Sequence, residues 1–336
     1  MNKAAAPSCV SSCESATTAP KNIVIVGYGQ IGRSFEQIFK AANSNVKIRE
    51  TGQHDDDEKF FDDWENLGIS FDNIDFVIVA VKTYHLKSAV ESVPPALRGK
   101  LVFIQNGLGI EEIVNGIDGV RNAIHGVLFL SAKDMESGGA MVVAKPSHFY
   151  GEKADEFVAL LNRGREGFAV EPESNDVFLK VKLMKGVVNV VYNAICPIFQ
   201  APVKNTYDRF GRGNIEAMVR EVVTVLNSHY GREILDFEEA FATINAIYEA
   251  WANEVPTTYR DLWGKIKPGE SFSGQDVRDK TSGGPMLTEI DHLLGFIVRE
   301  GEKRGIPIPV CKDVYETLGQ LEGWIDEIKR GVFGVV

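Results

Sequence analysis

Long hydrophobic runs are missing from this chain. No uninterrupted apolar stretch reaches the ~18 residues that a membrane-spanning helix needs. Cysteines number only four. Cys9 and Cys13 lie in a polar tail, Cys196 and Cys311 in apolar contexts, and no CxxC or Cys/His ligand spacing occurs. That excludes a zinc site as the organising feature and leads us to expect a reducing, cytoplasmic setting. Basic residues are in deficit, 36 Lys and Arg against 47 Asp and Glu, for a net charge of -11. Such a balance argues against nucleic acid as the main partner, although a locally basic pocket for an anionic small molecule stays open. Residues 1–20 contain one lysine, no arginine and no continuous apolar segment. We therefore expect a disordered tail rather than a targeting peptide, with the fold beginning near Lys21. There is no internal repeat.

What is present is an ordinary globular composition, 44% apolar and 25% charged, on 336 residues. That length suits two domains better than one core. The first folded stretch reads NIVIVGYGQIGRSFEQIFKAAN. A short buried strand, Ile23 to Val26, runs into Gly27-Tyr28-Gly29-Gln30-Ile31-Gly32 and then into an amphipathic helix. The first glycine permits the tight turn, the second lets a pyrophosphate approach the backbone, and the third lets helix and strand pack closely. The helix N-terminus faces the phosphates. These six residues are the expected dinucleotide contacts. A glycine-rich turn without a ligand is the plain alternative, weakened here by the strand before it and the helix after it.

Strand two, Val46 to Ile48, ends in Arg49 and Glu50. An acidic residue there would bond the ribose of NAD and a basic one would favour the 2′-phosphate of NADP, so both cofactors stay open. HDDDE at 54–58 reads as a solvated loop. Strand three, Asp75 to Val81, delivers Lys82 to the ligand edge of a parallel sheet. Strand four, from Leu101, delivers Asn106 inside Gln105-Asn106-Gly107. Further strands are expected at 122–130, 141–144, 148–151 and 167–170, with a helix at 153–164. His125 and His148 lie in apolar runs and read as packed. EPESND at 171–176 reads as the linker.

From Phe178 to Phe199 the chain is mostly apolar and is closed by Pro197. At about 100° per residue, Lys185, Asn189, Lys182 and Asn193 fall at about 0°, 40°, 60° and 80°, on one stripe. Two ammonium groups and two carboxamides cannot be buried without partners. The stripe is either solvated or faces a cleft in which a polar substrate supplies them. Beyond it we expect helices at 215–229, 237–253, 285–304 and 312–329, separated by an irregular polar stretch at 256–284. Glu289 and Asp291 stand either as first-turn acids complementing a helix dipole or, for Glu289, as a group facing that cleft.

Taken together these pieces resemble the ketopantoate reductase (2-dehydropantoate 2-reductase) family, from Lys21 to about Glu327. The matching motifs are GYGQIG at 27–32, VKTYH at 81–85, QNGLG at 105–109, KGVVNVVYNA at 185–194, QD at 275–276 and TEIDHLLGFIVREGEKRGIPIP at 288–309. The resemblance implies an α/β fold, an N-terminal Rossmann-type parallel sheet domain (21–172) followed by an all-α C-terminal domain (176–330), with the active site between them. It implies NADP(H)-dependent reduction of ketopantoate to pantoate, NAD(H) not being excluded. It places the general acid at Lys185, the cleft carboxylate at Glu289, the substrate-orienting carboxamides at Asn106, Asn189 and Asn193, and the strand-end lysine at Lys82. The family's substrate-binding serine falls on Phe272, flanked by Ser271 and Ser273: either a loop shift lets one of these serines substitute, or the acid pocket has changed. The segment between Gln275 and Glu289 is longer than usual and contains SGGP. Thr51 stands where a basic residue is usual after strand two. Two further readings are carried: a reductase of another 2-oxo acid, motivated by Phe272, and a cofactor-binding regulator that has lost catalysis. The sequence does not give the oligomeric state, and the apolar helical domain leaves a homodimer open.

Overall fold

The structure is a computed structural model that describes residues 19–50, 60–61, 63–132, 135, 139, 141–273, 275–277 and 288–330. The tail 1–18, HDDDE, Thr51 and SGGP lie outside the described residues. An eight-stranded sheet comes first. Its strands are β1 (Asn22–Val26), β2 (Asn45–Arg49), β3 (Phe60–Phe61), β4 (Phe76–Val79), β5 (Leu101–Phe103), β6 (Ile124–Val127), β9 (Ser147–Tyr150) and β10 (Ala169–Val170), in the order β10-β9-β6-β5-β4-β1-β2-β3. Every pairing is parallel except β6 with β9. Strands β7 (Leu130–Ala132) and β8 (Met141–Val143) form a separate antiparallel hairpin. The run expected as one strand at 122–130 is therefore split, and its end leaves the main sheet.

Strands β1 and β4 are buried on both faces, as continuous apolar runs in a parallel sheet must be. Helices α1 (Gln30–Ala41) and α4 (Ala154–Gly164) cover one face through Phe35, Phe39 and Phe157. On the other face, Trp64 and helices α2 (Leu86–Glu91) and α3 (Ile110–Val114) pack through Leu86, Val90, Ile110 and Val114. The strand order reverses at β1, between β2 and β4, and the ligand crevice of such a sheet lies outside the strand ends at that point.

The helical part is built on α5 (Asn175–Phe199). Ser174 starts it, its hydroxyl accepting the N–H of Val177 at 3.3 Å. It begins within the expected linker. Pro197 sits inside the last turn, and its carbonyl accepts the indole N–H of Trp263 at 2.8 Å. By length and composition α5 could cross a membrane, but 67% of its apolar window is buried inside the fold. Around it lie α6 (Val203–Phe210), α7 (Arg212–His229), α8 (Phe237–Ala250), α9 (Thr257–Trp263), α10 (Leu294–Arg304) and α11 (Pro309–Lys329). Helix α9 falls in the stretch expected to be irregular. A 3-10 turn at Glu289–His292 precedes α10, where one longer helix was expected. Thr288 caps that turn by accepting the N–H of Ile290.

Helices α1 and α4 meet at Gly164, where a Cβ would fall 2.0 Å from the Ile38 carbonyl oxygen. Gly164→Ala is expected to destabilise the protein by about 1–3 kcal/mol, read from the urea midpoint. A variant as stable as the parent would show that the two helices have room to part.

Candidate active site

The glycine loop after β1 has the shape a dinucleotide requires. Gly27 holds φ +93°, donates its N–H to the Arg49 carbonyl at 3.1 Å, and has no room for a Cβ, which would lie 2.8 Å from Val81 Cγ1. A Cβ on Gly32 would fall 2.3 Å from the Gly27 carbonyl oxygen, so this glycine lets α1 lie against the turn. Gly29 faces open space, with nothing within 4 Å of a Cβ position. Helix α1 starts at Gln30 without a side-chain cap, which leaves its first N–H groups aimed where a phosphate would lie. This cradle fits a pyrophosphate.

The side chains of the loop turn elsewhere. Tyr28 was expected to contact the cofactor. It is buried, hydrogen-bonded to Glu36 and covered by the Arg33 guanidinium 4.1 Å from its ring centre, so only its backbone stays in the loop. Gln30 accepts the Met135 N–H at 2.7 Å, and Ile31, in the first turn of α1, packs half-buried against the core. At the end of β2, Arg49 lies 5.6 Å from the Trp64 ring and donates to Ser92 Oγ at 3.2 Å, with its Nε buried. Glu50 follows, half-buried.

Between sheet and helices lies a small, open cleft, lined in part by Asn106, Gly107, Gly126, Lys182, Lys185 and Asn189. Lys185 Nζ donates to Asn106 Oδ1 at 2.6 Å. Residues 79 positions apart are thus joined across the two parts of the chain. Burial pulls the Lys185 ammonium down to about 8, against the opposing charge of Glu289. The Phe129 ring centre is 5.8 Å from its Nζ.

Three glycines and a leucine fix how closely Asn106 approaches α5. A Cβ on Gly186, next to Lys185, would fall 2.7 Å from Leu108 Cδ2. One on Gly109, at φ +68°, would fall 2.6 Å from the Phe296 ring. Gly107 lies close to Ile110, and Leu108 donates its N–H to the His292 carbonyl at 2.8 Å. The Asn106 carbonyl accepts the Thr83 hydroxyl at 2.8 Å.

Glu289 is buried and directed at the same turn. Its Oε1 accepts the Thr83 N–H at 3.2 Å and the Thr83 hydroxyl at 3.0 Å, while Oε2 stands 3.8 Å from Lys82 Nζ. Lys82 also pairs with Asp261 of α9 at 2.8 Å. Burial works to lower the Lys82 pKa, but Glu289 and then Asp261 outweigh it and hold it above the ordinary lysine value. Lys82 thus ties the end of β4 to α9.

The second lysine of the stripe is paired. Lys182, 8% exposed, is bonded to Glu111 in the first turn of α3, and His125 Nδ1 lies 3.6 Å from that carboxylate. Burial would raise the Glu111 pKa, yet Lys182 and His125 draw it down to about 2. Burial pushes His125 down to about 4, so this imidazole is neutral near pH 7. The adjacent Glu112 reaches His229 Nε2 of α7 at 3.2 Å, and His229 Nδ1 reaches Glu300 at 2.8 Å. Among these partners the sequence reading had singled out neither Glu111 nor Asp261. The one signal for Glu111 was its place two residues after QNGLG.

Three expected substrate residues do not line the cleft. Asn193 is buried, and its Oδ1 accepts the Thr258 N–H at 3.2 Å, capping the first turn of α9. Ser273 donates its hydroxyl to Asp276 at 2.7 Å and accepts the Asp276 N–H, which makes it the start of a helical turn. Ser271 is exposed. Phe272, at the serine position, lies with its ring centre 5.0 Å from that of Trp263 and 6.3 Å from that of Trp324, a packing aromatic of the helical part.

Comparison with known proteins gives consistent findings. The model of the family described as Ketopantoate reductase PanE/ApbA matches residues 23–154, and that of its C-terminal part matches 177–266 and 276–322. A 2-dehydropantoate 2-reductase of Vibrio cholerae serotype O1 is 24% identical over 317 residues, 90% of this chain and 98% of that protein. Among solved structures, a PanE/ApbA family ketopantoate reductase from Ralstonia eutropha JMP134 superposes with a TM-score of 0.70 at 19% identity, covering 90% of this chain and 99% of the other. D-mandelate dehydrogenase with NADH superposes with a TM-score of 0.65 at 18% identity, covering 90% and 99%.

Asn193→Ala should cost about 1 kcal/mol of stability, the worth of one such hydrogen bond, with little change in substrate KM. Asn189→Ala, at the cleft wall, should do the reverse. Urea unfolding and steady-state kinetics on the pair decide this, and a larger KM effect at Asn193 would return its side chain to the cleft.

Proposed function

This chain belongs to the ketopantoate reductase family of oxidoreductases, and from that membership we propose that it reduces ketopantoate to pantoate with NADPH, in the route to pantothenate and coenzyme A. The observation that carries the reading is the 2.6 Å hydrogen bond from Lys185 to Asn106, which sets one lysine with a pKa of about 8 at the wall of the cleft. When bound, the dihydronicotinamide supplies a hydride to C2 of the oxo acid. As the carbonyl π bond breaks, its electron pair moves to oxygen, and Lys185 Nζ gives that oxygen a proton. The lysine is left neutral and recovers its proton from solvent. A lysine at its ordinary pKa is a reluctant donor near pH 7. One at about 8 is still mostly protonated there and gives up its proton more readily. Asn106 holds the ammonium on line, and Asn189 offers a carboxamide one turn further along α5. Glu289 would act through its hold on Thr83 and its charge, and in this reading its carboxylate would bond a substrate hydroxyl.

Gly27, Gly29 and Gly32 would hold the pyrophosphate, and Arg49 would meet the 2′-phosphate, which favours NADPH over NADH in this reading. Cys196 and Cys311 are free and buried, which suits a cytoplasmic setting. A homodimer belongs to the same reading and is decided by analytical ultracentrifugation. The second reading, reduction of another 2-oxo acid, is motivated by Phe272, whose ring is given over to packing.

The deciding assay is steady-state oxidation of NADPH, and separately NADH, by the purified protein with ketopantoate. Efficient turnover favouring NADPH is expected, with Arg49→Ala raising the NADPH KM and leaving NADH little changed. Turnover only with other 2-oxo acids would move the reading to the second; tight cofactor binding with no turnover on any would make the protein a regulator. Because the donor must carry its proton, the reduction rate should be level below pH 8 and fall about tenfold per pH unit well above it. Lys185→Ala should lower kcat by about two to four orders of magnitude while NADPH still binds, as fluorescence titration would show. Near-normal turnover in that variant would remove Lys185 from its role.

A further inference from the structure

We propose that Lys182 is the carboxylate anchor of this site, taking the acid group of the 2-oxo acid through an ion pair from α5. The proposal rests on the reading of the cleft as a 2-oxo acid reductase site, and it names the group that selects the acid. A site for such a substrate needs a donor for the carboxylate beside the donor for the oxo group. The loop expected to supply it does not reach: Ser273 is engaged with Asp276, Ser271 is exposed, and Phe272 packs on Trp263 and Trp324. Two cationic side chains line the cleft, Lys182 and Lys185. Lys185 is held by Asn106 for the oxo oxygen.

Lys182 lies three residues before it on α5, ~4.5 Å along the helix axis and on the same side. That offset suits a carboxylate bonded directly to the oxo carbon. Among the described residues its hydrogen-bonded partner is Glu111, which leaves two of three ammonium N–H groups for a ligand. Glu111 is not among the residues lining the cleft, so the ammonium, not the carboxylate, is what the cleft presents. Glu111 holds the long side chain in place and, drawn down to about 2, stays charged wherever the enzyme works. A purely structural contact between α3 and α5 would not call for this pair, because apolar side chains of similar volume serve at least as well. The ammonium end of the pair is buried while the Glu111 carboxylate keeps contact with solvent, and the burial of the ammonium is explained if Lys182 also faces a charged ligand.

The experiment compares the acid with an uncharged copy of itself. Ketopantoate and its primary carboxamide are assayed with the wild-type protein, Lys182→Met and Lys182→Arg. Lys182→Met should raise KM for the acid about tenfold or more, as expected for a lost charge-assisted bond, and shift KM for the carboxamide less than threefold. Lys182→Arg should recover most of the loss for the acid. A structural role would move both substrates together, and equal shifts, or no shift for the acid, would overturn the proposal. Calorimetric binding of ketopantoate to the NADP-loaded proteins applies the same comparison without turnover. If the wild-type protein binds the acid but does not reduce it, the reading of the reaction fails while the anchor is still decided by Lys182→Met.

Discussion

The seat of Leu108 on Gly186 is the constraint on which the site depends. A backbone without a side chain at that point of α5 lets the loop after β5 come into contact, and Asn106 is carried with it to Lys185. Every other device around the loop serves the same approach: Gly109 under the Phe296 ring, the Leu108 N–H on the His292 carbonyl, and the Thr83 hydroxyl on the Asn106 carbonyl. Close-packed interiors transmit small displacements, and a methyl group at Gly186 would be felt at the contact between Asn106 and Lys185.

Electrostatics then separates three lysines that composition alone makes equal. Lys82 has Asp261 and Glu289, and Lys182 has Glu111. Lys185 has a carboxamide as its near partner, with Glu289 acting on it only through charge. Burial is outweighed at Lys82 and left largely uncompensated at Lys185, which is the one drawn down to about 8. The proposed role of Lys185 as an acid draws on this arrangement, in which the neighbouring carboxylates are already engaged by other cations.

Much of this was legible from residue order. The strand, the glycine loop and the helix were visible because each needs a local pattern: a short apolar run, glycines where the backbone must turn or touch, and a helical period. The stripe of Lys182, Lys185 and Asn189 was visible because angle along a helix follows from sequence spacing. Depth was not visible. Asn193 shares that stripe but lies eight residues on, ~12 Å along the axis, where α9 begins and claims its carboxamide. The partners of the lysines were hidden for a related reason. Glu111 and Asp261 meet Lys182 and Lys82 only through folding, at separations of 71 and 179 residues. No local pattern marks such a pairing.

Helix α3 spans only Ile110 to Val114, yet its neighbouring carboxylates reach two different helices, Glu111 to Lys182 on α5 and Glu112 to His229 on α7. Two points, on helices that are themselves packed together in one core, hold this short helix more firmly than one would. They add to the ties that Lys82 makes to Asp261, Leu108 to the His292 carbonyl and Lys185 to Asn106. The sheet edge that carries Asn106 therefore meets the helical part at several separate places.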